Sequence, residues 1–252
     1  MVILSSIDNN HIKSLINENN EPIWLSEMRE NAFSKYTELP SEVSPLYKKY
    51  SGVNSLKPEH IYLPDQIIKS EPYEELKDRL EELEQGISIL QIGSSINRMF
   101  IPDKILKQGV IISDFNEAVI KYEDLIKKQL TINQLNYSED KFLALEVSAF
   151  HSGLFVYIPK NVIIEDPIRI INSLPDDGTS SITRNIIVGD VGSKATLVQE
   201  IYAPLKANRK DVQQTYFELM ECHVGPNAHI EMVTLQAMGG DTANFSNKKS
   251  FI

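Results

Sequence analysis

The residues best suited to bind a metal ion are one cysteine and two histidines in the last part of the sequence. Cys222 and His223 are adjacent, and His229 follows after a Gly-Pro turn at 225–226. Thiolate and imidazole groups both ligate iron and zinc. A metal site needs several convergent ligands, however, and adjacent residues of a strand point to opposite faces. We therefore interpret Cys222, the single cysteine, as a buried apolar side chain with His223 facing outward, and we predict no metal site.

Acidic residues occur in three pairs that could support acid–base catalysis: Glu165 with Asp166, Asp176 with Asp177, and Glu218 with Glu221. Glycoside hydrolysis requires two carboxyl groups held on either side of a cleft. Asp176 and Asp177 precede a glycine, which is typical of a turn, and Glu165-Asp166 precedes Pro167 at a solvated corner. We therefore name no catalytic residue and expect that the protein is not an enzyme. A β-helix enzyme acting on carbohydrate and a binding module of unknown ligand remain the alternatives.

The overall charge and the apolar runs exclude several classes of partner. The formal net charge is −10, from 25 basic and 35 acidic residues, whereas nucleic acids and anionic membrane surfaces attract basic proteins. No apolar run approaches the roughly 20 residues of a membrane span, and the N-terminus lacks the features of a signal peptide. No phosphate-binding loop motif occurs. With a single cysteine and no possible internal disulfide, we expect a cytoplasmic protein.

The first 141 residues are predicted to be mainly helical. A helix begins after Pro22 and ends before Pro40. Its apolar residues recur at helical spacing: Leu25, Met28, Ala32, Tyr36 and Leu39. Asp114 and Glu117 resemble a capping box at the start of a second apolar stripe. Between these helices, the segment 87–101 has two short apolar runs around a Gly-Ser turn, which predicts a β-hairpin.

After Gly153 the pattern changes to short β-branched and aromatic runs separated by turn residues, which predicts an all-β body. Gly192 and Gly225 are 33 residues apart (225 − 192) and are followed by similar strands. A further 33 residues before Gly192 in the chain is Pro159, which is also followed by a predicted strand. Internal repeats of this kind are typical of stacked units, as in a β-solenoid. An ordinary β-sandwich, with chance similarity between two turns, is the alternative that this pattern leaves open.

Four segments are distinctive enough to suggest a family. Residues 152–162 read Ser-Gly-Leu-Phe-Val-Tyr-Ile-Pro-Lys-Asn-Val, and residues 21–25 read Glu-Pro-Ile-Trp-Leu. Residues 185–197 and 224–236 each combine a valine-glycine corner with the strand that follows it. Together these segments resemble the SufB/SufD family of iron–sulfur cluster assembly proteins.

The resemblance implies a mixed fold, in which a helical N-terminal region is followed by a right-handed parallel β-helix (β-solenoid) core. Residues 1–141 would form the N-terminal region with its short hairpin, and residues 142–252 the first part of the core. At 200–204, where SufB-like chains carry a cysteine in a Gly-Cys-Thr-Ala-Pro segment, this sequence reads Glu-Ile-Tyr-Ala-Pro. That difference favours a SufD-like chain.

The function implied by the resemblance is that of a non-catalytic scaffold subunit in a SufBCD-type complex. The β-helix would pair with a SufB-like subunit or with a second copy of this chain. In the family, a SufC-like ATPase binds to a C-terminal region that has no matching positions in this sequence. We expect no cofactor in the isolated chain, since the iron–sulfur cluster and a reduced flavin belong to the full complex.

Overall fold

The computed structural model describes residues 1–40, 56–80, 86–132, 135–138, 140–239 and 242–252. Within these ranges, all α-helices precede Phe150. They are α1 (Asn9–Glu18), α2 (Ile23–Glu38), α3 (Glu74–Leu80), α4 (Asp103–Leu106), α5 (Phe115–Lys121), α6 (Glu123–Ile132) and α7 (Lys141–Ala149). The predicted apolar stripe after Asp114 is divided between α5 and α6, because the backbone leaves the helical conformation at Tyr122. None of the described helices is long and apolar enough to cross a membrane.

The strands form one small antiparallel pair and two five-stranded sheets. In chain order they are β1 (Val2–Ile3), β2 (Tyr62–Leu63), β3 (Ile87–Ile92), β4 (Ser95–Phe100), β5 (Ile111–Asp114), β6 (Leu154–Ile158), β7 (Ile168–Ser173), β8 (Ser181–Gly189), β9 (Lys194–Ala203), β10 (Thr215–Val224), β11 (His229–Met238) and β12 (Ala243–Phe251). β1 pairs with β2. The first sheet has the order β5-β6-β8-β10-β12, and the second sheet has the order β4-β3-β7-β9-β11.

From β6 to β12, successive strands alternate between the two sheets, and every pairing among them is parallel. At the N-terminal side, each sheet ends in an antiparallel strand: β4 pairs with β3 in the second sheet, and β5 pairs with β6 in the first. β3 and β4 form the predicted hairpin, and β3 also pairs in parallel with β7. Strands that precede residue 142 are therefore built into both sheets.

Two apolar layers hold this arrangement together. Between the sheets lie inward side chains that include Val156, Ile170, Ile187, Leu197 and Met220. On the other face of the first sheet, aromatic residues pack the helices against the strands. Phe142 of α7 stacks on Phe245 with 4.5 Å between ring centroids, and Phe217 lies 5.2 Å from Phe245. Burial of this apolar area is the main driving force for docking the helices.

The corners between the sheets use a repeated left-handed residue. Asn161, Gly192 and Asn227 have φ values of +60°, +68° and +58°. The corners are stacked, because the backbone N–H of Asn161 donates to the carbonyl of Val191 and that of Gly192 to the carbonyl of Pro226. A Cβ atom on Gly192 would lie 2.5 Å from Asn161 Oδ1, so the neighbouring corner requires glycine there, and its positive φ favours glycine as well.

The strand register corrects the predicted repeat. His229 pairs with Lys194, a separation of 35 residues (229 − 194). Gly192 therefore aligns with Asn227 and not with Gly225. The 33-residue repeat is wrong by two residues because glycine and asparagine both tolerate the left-handed conformation, so the equivalent corner positions carry different residue types.

Candidate functional site

The three residues considered as metal ligands do not converge. Cys222 faces the apolar space between the sheets, and burial raises the pKa of its thiol to about 11. His223 faces the other side of β10, where its ring stacks 4.9 Å from Phe251 and is 2% exposed. The expectation that His223 faces solvent is therefore wrong, and burial lowers its pKa. His229 is exposed at the start of β11. Among the described residues, no group of three acidic, histidine or cysteine side chains could hold a metal ion.

The three carboxylate pairs lie on different elements: one before β7, one after β7 and one on β10. Asp166 forms an exposed ion pair with Lys104, and Asp177 accepts a hydrogen bond from the backbone N–H of Thr179, as in a turn. Glu218 and Glu221 lie on opposite faces of β10, because they are three positions apart on a strand. Glu218 and Glu221 therefore cannot flank one glycosidic bond, as glycoside hydrolysis requires.

Glu218 is instead the centre of a buried hydrogen-bond network between the sheets. Its side chain is 0% exposed. It accepts hydrogen bonds from Asn185 Nδ2 at 2.8 Å, Ser246 Oγ at 2.8 Å, Tyr216 Oη at 3.4 Å and Gln199 Nε2. A buried carboxylate is tolerated only when its oxygens are satisfied in this way. Glu218 therefore fixes the relative positions of β8, β9, β10 and β12.

Lys248 extends the network towards solvent. Its Nζ lies 3.8 Å from Glu218 Oε2 and donates to Gln199 Oε1 at 2.7 Å and to Thr234 Oγ1 at 2.5 Å. One lysine of β12 thus contacts side chains of β9, β10 and β11. The Lys248 side chain remains 33% exposed, so the interior network is open to solvent at the β12 end.

In the opposite direction the network continues through side-chain amides. Gln199 Nε2 donates to Asn172 Oδ1 at 3.2 Å, Asn172 Nδ2 to Gln91 Oε1 at 3.3 Å, and Gln91 Nε2 to Ser152 Oγ at 2.8 Å. The predictions from sequence missed this network. The available signal was the alternation of β10, which places Glu218 on the same face as Met220 and Cys222.

The outer face of β11 is an exposed apolar surface suited to a macromolecular partner. On this face, Val233 and Leu235 are 46% and 47% exposed. Neighbouring exposed apolar side chains favour contact with another protein chain. We call this surface the β11 outer face.

Two family models match nearly the whole chain. A model described as the SufBD protein N-terminal region matches residues 9–170, and one described as SUF system FeS cluster assembly, SufBD core domain, matches residues 170–252. The chain belongs to the SufBD family. The family inferred from the sequence segments is therefore confirmed.

Individual relatives agree with this family. The chain is 23% identical over 252 residues to the iron-sulfur cluster assembly protein SufD of Bacillus subtilis strain 168, covering 97% of this chain and 55% of that protein. Iron-sulfur cluster assembly SufBD family proteins of Staphylococcus aureus strains USA300 and NCTC 8325 are 21% identical over 253 residues, covering 96% of this chain and 53% of theirs. The chain thus spans about half the length of the curated relatives it matches.

Proposed function

We propose that this chain acts as a SufD-like, non-catalytic scaffold subunit in a SufBCD-type iron–sulfur cluster assembly complex. The observation that carries the proposal is the pair of SufBD family matches over residues 9–252. The SufD relative from Bacillus subtilis supports the SufD-like assignment. In this role the iron–sulfur cluster is cargo, and the cluster and a reduced flavin are held by the full complex. We place the protein in the cytoplasm.

We also propose that the strands from β6 to β12 wind as a right-handed parallel β-helix. Support comes from their alternation between two sheets, their parallel registers and the stacked corners at 161, 192 and 227. Right-handed crossovers are the general rule for parallel strands. In this proposal residues 1–141 form the N-terminal region and residues 142–252 the first part of the core.

The partner surface in this proposal is the β11 outer face. The exposed apolar side chains of Val233 and Leu235 suit contact with a SufB-like subunit or with a second copy of this chain. No surface of this chain is assigned to a SufC-like ATPase. The carbohydrate-active alternative has no support, since Glu218 and Glu221 lie on opposite faces of β10, Asp166 pairs with Lys104 and Asp177 belongs to a turn.

Co-purification with SufB-like and SufC-like proteins of the same organism, followed by size-exclusion chromatography with light scattering, tests the proposal. We expect a stable complex with the SufB-like chain. The double variant Val233→Glu/Leu235→Glu should weaken it at least tenfold, because two charges would be placed in the interface. Ile163→Glu is a matched control, since Ile163 is 58% exposed beside Lys194 of β9 and is not part of β11. Failure to bind the SufB-like chain, or equal binding by both variants, would contradict the proposal.

A further inference from the structure

Glu146 of α7 is buried where the last of the described helices packs against the first sheet, and it is 0% exposed. Asn247 Nδ2 of β12 donates to Glu146 Oε2 at 2.8 Å. One helical turn earlier, Phe142 stacks on Phe245 of the same strand, with 4.5 Å between ring centroids. Residues four apart on a helix lie on the same face, as do residues two apart on a strand. These two contacts together join α7 to β12, and we call them the α7–β12 joint.

Glu146 receives too few hydrogen bonds for an ionised carboxylate. Asn247 is its single donor among the described residues, and the other oxygen, Oε1, is buried with no hydrogen-bond partner among them. An ionised carboxylate has about four lone-pair positions for donors, and a buried charge is very unfavourable unless it is paired and hydrogen-bonded. A protonated carboxyl group carries no charge, so one O–H group without a partner is the smaller cost.

The other buried glutamates of the described part of the chain have the partners that Glu146 lacks. Glu218 accepts four hydrogen bonds. Glu221 pairs with Arg184, and Glu200 pairs with two arginines. Each of these three carboxylates therefore has the donors or cations that stabilise a negative charge, whereas Glu146 has one amide.

The surroundings of Glu146 also favour its protonated form. Burial is the main cause that raises the pKa of Glu146 well above its usual value of 4.5, and the hydrogen bond from Asn247 acts against it. The nearby acidic side chains of Asp140 and Glu218 raise the pKa further, whereas Lys249 lowers it. Two acidic neighbours against one basic neighbour are unfavourable for a further negative charge.

The basic side chains of α7, α2 and β8 closest to the core are engaged with other groups. Lys141 of α7 donates to two carbonyl oxygens at the end of α2. Arg29 of α2 pairs with Glu21. Arg184 of β8 pairs with Glu221 of β10. The charges of these three cations are therefore already satisfied.

The remaining titratable groups on the elements around α7 also have other partners or face solvent. His11 of α1 and His223 of β10 interact with acidic groups other than Glu146. Lys248 of β12 contacts the network between the sheets. The other charged side chains of α1 and α2 are at least partly exposed. One cation, Lys249, therefore opposes protonation of Glu146.

We propose that Glu146 is protonated in the folded protein and makes the α7–β12 joint sensitive to pH. When α7 separates from β12, the carboxyl group enters water and releases its proton above about pH 4.5. While the joint is closed, the same group keeps its proton to higher pH. The stability that Glu146 contributes is therefore fully present below pH 4.5, and it is lost progressively as the pH rises towards the raised pKa. This property belongs to the folded chain itself and goes beyond the proposed scaffold function.

Glu146→Gln tests the joint, because glutamine has the size of the protonated acid and is also neutral, but cannot ionise. Hydrogen exchange of the peptides that cover α7 and β12 is measured at pH 5 and pH 8 and expressed as protection factors, which correct for the intrinsic effect of pH on exchange. Between these pH values, we expect protection in the unchanged protein to fall at least about tenfold more than in Glu146→Gln. Glu30→Gln, at an exposed position of α2, is the matched control and should behave like the unchanged protein.

Infrared spectroscopy at pH 7 provides a readout that does not depend on stability. The carbonyl stretching band of a protonated carboxylic acid should be present in the unchanged protein and in Glu30→Gln, and it should be lost from the difference spectrum of Glu146→Gln. Circular dichroism verifies that both variants fold. Absence of this band from the unchanged protein, or an equal pH dependence of exchange in the unchanged protein and in Glu146→Gln, would overturn the proposal.

Discussion

Arg29 Nη2 lies 2.6 Å from Glu21 Oε1, and both side chains are buried. The same guanidinium donates to the carbonyl oxygens of Ser148 and Phe150 at 2.9 and 2.7 Å, and its Cζ lies 3.5 Å from the centroid of the Phe150 ring. Carbonyl groups at a helix C-terminus lack partners within the helix. Arg29 of α2 therefore provides a cap for α7 and fixes the two helices together.

Replacing Arg29 should destabilise the fold strongly. In Arg29→Met the carboxylate of Glu21 would remain buried without its partner, and we expect the free energy of unfolding to fall by about 3–5 kcal/mol. Lys35→Met is the control, because Lys35 pairs with Glu38 on the exposed side of the same helix and should cost about 0.5 kcal/mol or less. Urea denaturation followed by circular dichroism measures both. Similar losses for the two variants would show that Arg29 does not hold α7.

The network around Glu218 should depend on its negative charge. Glu218→Gln keeps the size of the side chain but replaces one acceptor with a donor that faces the donors of Asn185, Gln199 and Ser246. We expect a loss of about 2 kcal/mol or more in unfolding free energy. Glu231→Gln serves as the control, since Glu231 is exposed and is contacted by Thr196 Oγ1. If both variants unfold at the same urea concentration, the network does not stabilise the sheets.

His151 should make the protein sensitive to acid. Burial, followed by the nearby His11 and Arg29, lowers the pKa of His151 from 6.5 to about 3. Below pH 6.5 the unfolded chain binds a proton at His151, whereas the folded chain does not bind this proton until about pH 3. The stability that His151 contributes is therefore fully present above pH 6.5, and it is lost progressively as the pH falls from 6.5 towards 3. Between pH 6.5 and 4 the loss is about 3 kcal/mol.

Urea denaturation at several pH values measures this contribution. His151→Gln removes the titrating group, so its unfolding free energy should fall less steeply between pH 6.5 and 4 than that of the unchanged protein. His229→Gln, at an exposed position of β11, provides the comparison and should keep the original slope. An unchanged slope in His151→Gln would mean that other groups cause the acid sensitivity.

Cys222 should react slowly with thiol reagents while the chain is folded. With a thiol pKa of about 11 caused by burial, only about one molecule in ten thousand carries the reactive thiolate at pH 7. We expect labelling by a disulfide reagent at pH 7 to be at least about 100-fold slower in buffer than in denaturant. Comparable rates in both conditions would indicate that Cys222 is accessible.

Residue periodicity predicted local structure better than long-range pairing. The helical stripe after Pro22, the β-hairpin at 87–101 and the strands after Gly153 all follow from spacing of apolar residues. The pairing of β3 with β7 could not be predicted, because four helices and three other strands separate them in the chain and no local signal specifies the partner. The burial of His223 was missed for a similar reason, since it is covered by Phe251 of a later strand.

Polar residues of the interior were the least predictable part of the chain. Glu218 and Glu221 look alike in sequence, yet one binds side-chain amides between the sheets and the other binds Arg184 beneath the helices. The face of β10 on which each glutamate lies follows from strand alternation. Its hydrogen-bond partners, however, lie on other strands, and the register of those strands depends on loop lengths. The buried pair of Arg184 and Glu221 therefore became apparent only in three dimensions.

Two of the stacked corners differ from the connections at the opposite ends of the strands in how much their lengths vary. The corners at 190–193 and 225–228 are equally long, whereas the connections on the other side, 174–180 and 204–214, are not. A peptide tag inserted after Leu205, which is 72% exposed, would be displayed without shifting the strands. The same tag inserted between Val191 and Gly192 would separate Gly192 from its contacts with Asn161. The 204–214 connection is therefore the place at which this chain can be lengthened, labelled or attached to a surface.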